Sequence, residues 1–209
     1  MPLFYQQNIN ATTKLAIWKI EESESFFAET VPLQRDITHP HKRLQHLAAR
    51  YLLRYLYPDF PYEEIVVADT RKPYLTNEQY HFSISHCGDY AAAVVSSTHR
   101  VGIDIEIPTA RVFKITHKFL SPIERQQFAE ALAKEDVDGI TLLWSAKEAM
   151  YKWWSVGQVD FSEMMQIEPF HFSSEGAFNA SFVSPDEQIQ LQLHYKMMHQ
   201  LVLAWVVTK

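Results

Sequence analysis

An apolar run that carries two carboxylates constrains this chain more than any other feature. Val101-Gly102-Ile103-Asp104-Ile105-Glu106 reads as a buried β-strand. Successive side chains of a strand alternate, so Asp104 and Glu106 share one face while Ile103 and Ile105 fill the other. Carboxylates in such a setting are costly unless they are paired or bind a cation. The fold must therefore bring a partner to that face. Trp144-Ser145-Ala146-Lys147-Glu148-Ala149-Met150-Tyr151-Lys152 offers one, because in a helix Trp144, Glu148 and Lys152 recur every fourth residue on one side. Three acids and a lysine at one spot make a hard-cation site with a proton-transfer group beside it. Oxygen donors of this kind suit magnesium. The plain alternative is a structural ion pair to Lys147 or Arg111, with Glu148 and Lys152 an ordinary helix-surface pair.

The rest of the chain supports an ordered α+β protein. Its 209 residues are 47% hydrophobic, with thirteen Phe, ten Tyr and five Trp, enough for a sizeable core. A formal net charge of −6 disfavours nonspecific nucleic-acid binding. Cys87 is the single cysteine, which excludes an intrachain disulfide and a cysteine-based zinc cluster. The first ten residues lack the pattern of a signal peptide, and no apolar run approaches membrane length. The expectation is a soluble, cytoplasmic protein.

Strands are expected near residues 3–10 and 14–20, and a short acidic helix over 21–29. A stronger helix follows over 39–57, opened by Pro40 and closed by Pro58. Residues 65–68 and the segment after the basic Arg71-Lys72-Pro73 turn read as strands. Residues 82–97 read as a hairpin with Ser85 and His86 at its tip. Beyond the Asp104 strand, Ser121 and Glu124 spell a capping box that opens a helix to about Lys134. A second helix spans 136–154, with Gly157 ending its trailing turn. Strand-like segments recur at 164–170, 180–183, 189–195 and 201–207. Strand, helix, then antiparallel strands is the order in both halves, which suggests a duplicated α+β unit with a seam near 97–100.

Several residues invite chemistry. Arg43, Arg50 and Arg54 stripe the 39–57 helix, and no acid occurs between Asp36 and Asp59. A helix side without acidic partners favours a phosphate ligand over a solvated face. Ser85, His86 and Cys87 do not form a nucleophile–base pair, since neighbours in an extended chain point to opposite sides. His86 beside Ser85, Arg43 and Lys72 suits a phosphate instead, although an ordinary loop histidine reads the same way. No HExxH spacing occurs, which argues against a zinc hydrolase.

Lys72-Pro73, Phe82-Ser83-Ile84-Ser85-His86-Cys87-Gly88-Asp89-Tyr90, the Val101–Glu106 strand and the Trp144–Lys152 helix occur in the order found in one enzyme family. Together they resemble the 4′-phosphopantetheinyl transferases, specifically the long, surfactin-synthetase-activating type. Arg71 departs from that pattern where the family often has Gly, and Cys87 where a small or polar residue is common. The resemblance implies two similar α+β halves, 1–98 and 99–209, in a pseudo-twofold arrangement with coenzyme A between them. It implies that Arg43, Lys72, Pro73, Ser85 and His86 hold the adenosine phosphates of coenzyme A, with Arg50 shaping that region. Asp104, Glu106 and Glu148 would bind Mg²⁺ against the pyrophosphate, Asp104 thereby contributing to coenzyme A binding as well. The reaction would move the phosphopantetheine arm to a serine of an apo acyl or peptidyl carrier protein and release 3′,5′-ADP. Glu148 and Lys152 would be catalytic, with either as the base. A monomer is implied, with no nucleic acid or membrane partner. A magnesium-dependent phosphohydrolase and a non-catalytic coenzyme A-binding module are the rival readings of the same residues.

Overall fold

The computed structural model describes every residue except 1, 32, 34, 35, 71, 158, 185 and 186, so the Arg71 departure lies outside the described residues. The chain divides into two compact units, Met1–Val101 with Lys209, and Gly102–Thr208. Each is mixed α+β and sets one long helix on a mainly antiparallel sheet.

The first unit contains β1 (Leu3–Asn10), β2 (Thr13–Lys19), α1 (Glu24–Ala28), α2 (Pro40–Leu56), β3 (Ile65–Val67), β4 (Pro73–Leu75), β5 (His81–Cys87) and β6 (Tyr90–Ser96). Its main sheet has the order β1-β2-β6-β5, and β3 and β4 form a separate two-stranded ribbon. Pro40 sits in the first turn of α2, where its missing N–H costs nothing, and the His39 side chain accepts from Lys42 N–H. Leu47, Ala48, Leu52 and Leu53 of α2 pack on Ala91, Ala93 and Val95 of β6, the small alanines admitting the helix closely. Ser85 and His86 do not occupy the hairpin tip. They pair with Ala92 and Ala91 inside the ladder, and the turn falls after Cys87, where Gly88 takes a left-handed φ of 53°.

The second unit is built around β7 (Arg100–Glu106), the strand at which it joins the first. There follow α3 (Thr116–Phe119), α4 (Pro122–Gln127), α5 (Ala129–Ala133), α6 (Val137–Trp154), α7 (Phe161–Met164), β8 (Met165–Ile167), β9 (Glu175–Val183), β10 (Gln188–Met198) and β11 (Leu201–Thr208). The sheet order is β7-β11-β10-β9-β8. Ala146, Ala149, Met150 and Trp153 of α6 pack on alternate residues of the last three strands, among them Phe178, Phe182, Leu193, Val202 and Ala204. Three expectations need correction. The helix after Ser121 is broken at Phe128, whose ψ of 22° separates α4 from α5. The helix carrying Glu148 ends at left-handed Ser155 (φ 74°) rather than through Gly157; the Ser155 hydroxyl donates to Lys152 O and Trp153 O. β9 opens at Glu175 rather than near 180. No helix among the described residues is long and apolar enough to cross a membrane.

Gly102 sets the spacing between β7 and α6. A Cβ there would lie 2.1 Å from Ala149 O and 2.8 Å from Trp153 Cβ, distances no relaxed structure tolerates. Gly102→Ala is expected to cost about 3 kcal/mol or more, the upper end of overpacking, because helix backbone rather than a flexible side chain must give way. Urea denaturation checks this; a change below about 1 kcal/mol would mean that α6 is not held so tightly.

Candidate active site

β7 presents Asp104 and Glu106 to one side, and α6 presents Trp144, Glu148 and Lys152 to the same place. Lys152 Nζ stands 2.6 Å from Asp104 Oδ1, and the Trp144 indole N–H donates to Glu106 Oε1 at 3.2 Å. Asp104 is 3% exposed, while Glu106, Glu148 and Lys152 are half-buried. All four residues therefore belong to the second unit and to two elements clamped by Gly102.

The Glu148 carboxyl is strongly perturbed. Burial pushes its carboxyl from 4.5 up to about 7, the charges of Asp104 and Glu106 push in the same direction, and the Lys152 ammonium opposes them. The consequence for stability has a definite sign. Below about pH 4.5 the group is protonated in folded and unfolded chain alike. As pH rises towards 7 the unfolded chain ionises first, so folded stability falls, by on the order of 3 kcal/mol once both states are ionised. In metal-free buffer, Glu148→Gln is expected to flatten this fall in the thermal midpoint between pH 4.5 and 7. An unchanged pH profile would remove Glu148 from the cluster.

The donor set is all hard oxygen, the kind of ligand that suits magnesium. As arranged, no group of three or more His, Cys, Asp and Glu among the described residues could hold an ion. Lys152 engages Asp104, and Trp144 engages Glu106.

Neither Lys147 nor Arg111 is the counter-ion of Asp104. Lys147 is fully buried, and its three N–H donors are shared among Glu124 Oε2 (2.7 Å), Phe161 O (3.0 Å), Met165 O (2.8 Å) and Phe119 O. Burial lowers its ammonium to about 8 against the pull of Glu124. Glu124 does more than close the capping box with Ser121. Its other oxygen accepts from Ile167 N–H at 2.9 Å, so one carboxylate ties α4, α6 and β8 together. The sequence signals the box but not the Lys147 pair, whose partners lie far apart along the chain.

In the first unit the arginine stripe has the partners the local sequence lacks. Arg43 Nε donates to Glu24 Oε2 at 2.7 Å and its Nη1 to Ile37 O; Arg54 Nη2 reaches both carboxylate oxygens of Glu63. Arg50 is 7% exposed and shares a hydrogen bond with His46 Nδ1 at 3.1 Å. The premise of missing acidic partners does not hold in the fold, because Glu24 and Glu63 come from outside the helix. Lys72 precedes Pro73 at the start of β4, and burial together with the Arg100 charge lowers its ammonium to about 8. On β5, Ser85 is buried and His86 exposed. His41 Nε2 and Gln45 Nε2 both reach Gly88 O, at 3.1 and 2.8 Å, and fasten the start of α2 beside the β5–β6 turn. No sequence signal marked those two contacts.

The profile of the 4′-phosphopantetheinyl transferase superfamily matches residues 100–206. Enterobactin synthase component D of Escherichia coli K12 is 34% identical over 116 residues, 53% of this chain and 54% of that protein. The proteins of the same name from Escherichia coli O157:H7 and Shigella flexneri are each 32% identical over 114 residues, again 53% of this chain and 54% of theirs. The chain thus spans about half the length of the curated relatives it matches.

Proposed function

The chain belongs to the 4′-phosphopantetheinyl transferase superfamily, and on that premise we propose that it transfers the phosphopantetheine arm of coenzyme A to a serine of an apo carrier protein. One observation carries the reading: the matched segment contains Asp104, Glu106, Glu148 and Lys152, which β7 and α6 gather at one place. The relatives are named as a component of enterobactin synthase, so a synthase is the first place to look for a substrate. The long, surfactin-synthetase-activating type and action as a cytoplasmic monomer are part of the same proposal.

Asp104, Glu106 and Glu148 would hold a magnesium ion, which when bound supplies charge neutralisation at the pyrophosphate. Arg43, Lys72, Ser85 and His86 would hold the adenosine phosphates, with Pro73 fixing the turn that presents Lys72 and Arg50 stiffening α2 behind Arg43. The carrier serine oxygen forms a bond to the phosphorus bearing the pantetheine arm, and the bond to the leaving 3′,5′-ADP breaks. The serine proton passes to Glu148, the carboxylate that α6 sets beside Asp104 and Glu106. The Lys152 ammonium, one turn further along α6, stabilises the leaving phosphate.

The experiment is chromatographic detection of 3′,5′-ADP with and without an apo carrier protein. Release that requires the carrier supports transfer. Release of the same nucleotide without it indicates a phosphohydrolase, and binding of coenzyme A without any product indicates a non-catalytic module.

A further inference from the structure

Trp144 begins the α6 face that carries Glu148 and Lys152, yet an indole neither takes a proton nor carries a charge. Its one polar group, the ring N–H, donates to Glu106 Oε1 at 3.2 Å. Glu106 is the last residue of β7 and is half-buried, whereas Asp104, two residues earlier, is buried. A glutamate at the end of a strand keeps much of its rotamer freedom, so a fixed partner matters more for Glu106 than for Asp104. An indole suits that task. It is a donor only and does not titrate, so its grip on a carboxylate does not wait on the charge of Glu148 or Lys152.

The indole is itself held. Phe119 meets its ring in a T-shaped arrangement at 5.3 Å, and Phe161 stacks on it at 5.8 Å. The backbone carbonyls of these same two residues accept from the buried Lys147 ammonium, one turn further along α6. Phe119 closes α3 and Phe161 opens α7, so one cation fastens the ends of two short helices beside the residue they grip. From this geometry we propose that Trp144 is a positioning residue for the transfer: it aims the Glu106 carboxylate, and Lys147 holds Trp144 in place through Phe119 and Phe161. The proposal rests on the reading of Glu106 as part of the transfer site. A phenylalanine at 144 would fill the same space but could not direct the carboxylate. Misplacing a reacting geometry by about 1 Å can cost on the order of 10²-fold in rate, so the loss of that one N–H has a kinetic consequence.

The test combines transfer kinetics on an apo carrier protein with nuclear magnetic resonance of the full chain, labelled with ¹⁵N at its five tryptophans. Trp144→Phe identifies the Trp144 indole N–H resonance by its loss, and is expected to lower kcat about 10- to 100-fold, the range for losing a residue that orients a site side chain. Glu106→Leu removes the acceptor and is expected to move that resonance upfield. Phe161→Leu keeps the carbonyl that Lys147 grips but removes the stacked ring; it is expected to shift the resonance and lower kcat in the same direction. Joint substitution of Lys147 and Glu124 by methionine is expected to shift it too. If Glu106→Leu leaves the resonance in place, the hydrogen bond is overturned. If folded Trp144→Phe and Phe161→Leu both keep wild-type kcat, the positioning role is overturned and the transfer reading stands. An unmoved resonance in the double methionine variant overturns the part given to Lys147. Absence of transfer by the wild type overturns the transfer reading itself, and the resonance measurements, which need no substrate, keep that failure separate. Should Trp144→Phe fold poorly, Phe161→Leu still exposes the proposal to refutation.

Discussion

Glu148→Gln is expected to lower the rate of phosphopantetheine transfer by on the order of 10²–10⁴-fold while leaving the chain folded, the usual range for removing a general base. Fold loss is not expected, because the glutamine removes a carboxyl that burial and two neighbouring acids push up to about 7. The KM for coenzyme A should change much less than kcat, since the adenosine phosphates are assigned to Arg43, Lys72, Ser85 and His86. The pH profile separates Glu148 from Lys152 as base. With Glu148 as base, activity rises with pH as the carboxyl ionises, and a bound dication stabilises the ionised form and moves that limb below 7. A base at Lys152 would place the limb in the range of a lysine amine, where it would persist in whatever activity Glu148→Gln retains. Steady-state rates from pH 5 to 9 decide between them, and a Glu148→Gln variant with wild-type kcat would dismiss Glu148 altogether.

Lys147→Met is expected to destabilise the chain by about 3–5 kcal/mol, the cost of breaking a buried ion pair from one side. The pair is shut away from water: the side chains of Lys147 and Glu124 are 0% and 1% exposed. Removing the ammonium also strips a donor from the carbonyls of Phe119, Phe161 and Met165. Substituting both Lys147 and Glu124 by methionine should recover much of the loss from the charge itself, because a well-packed apolar pair often equals a buried ion pair. Recovery will be incomplete, since Ser121 N–H and Ile167 N–H still lose their acceptor. Urea titration of the two variants provides the comparison. Wild-type stability for Lys147→Met would mean that this junction does not tie α6 to α4 and β8.

The contrast between these two residues shows what local pattern can and cannot reveal. Glu148 was legible because a period of two in β7 and of four in α6 each fix a face, and the two faces carry complementary groups. Lys147, next to it in sequence, was legible only as a cation. Its partner Glu124 belongs to another helix, and its other acceptors are carbonyls that carry no side-chain signal. The same limit hid the partners of Arg43 and Arg54, whose local window has no acid although the fold supplies Glu24 and Glu63. The long helices were legible from their caps and apolar faces. Their ends were less so: Ser155 takes a left-handed conformation that the sequence assigned to glycine, and Phe128 interrupts a helix without Gly or Pro to announce it. Tertiary packing decides such positions after local propensity has set the element.

Intact-mass spectrometry of an apo carrier protein incubated with the chain, coenzyme A and magnesium tests the central claim most directly. The expected result is a mass gain of one phosphopantetheine group on the carrier, abolished by EDTA and greatly slowed by Glu148→Gln. No gain on any of several apo carriers, with the chain folded and coenzyme A bound or consumed, would contradict it.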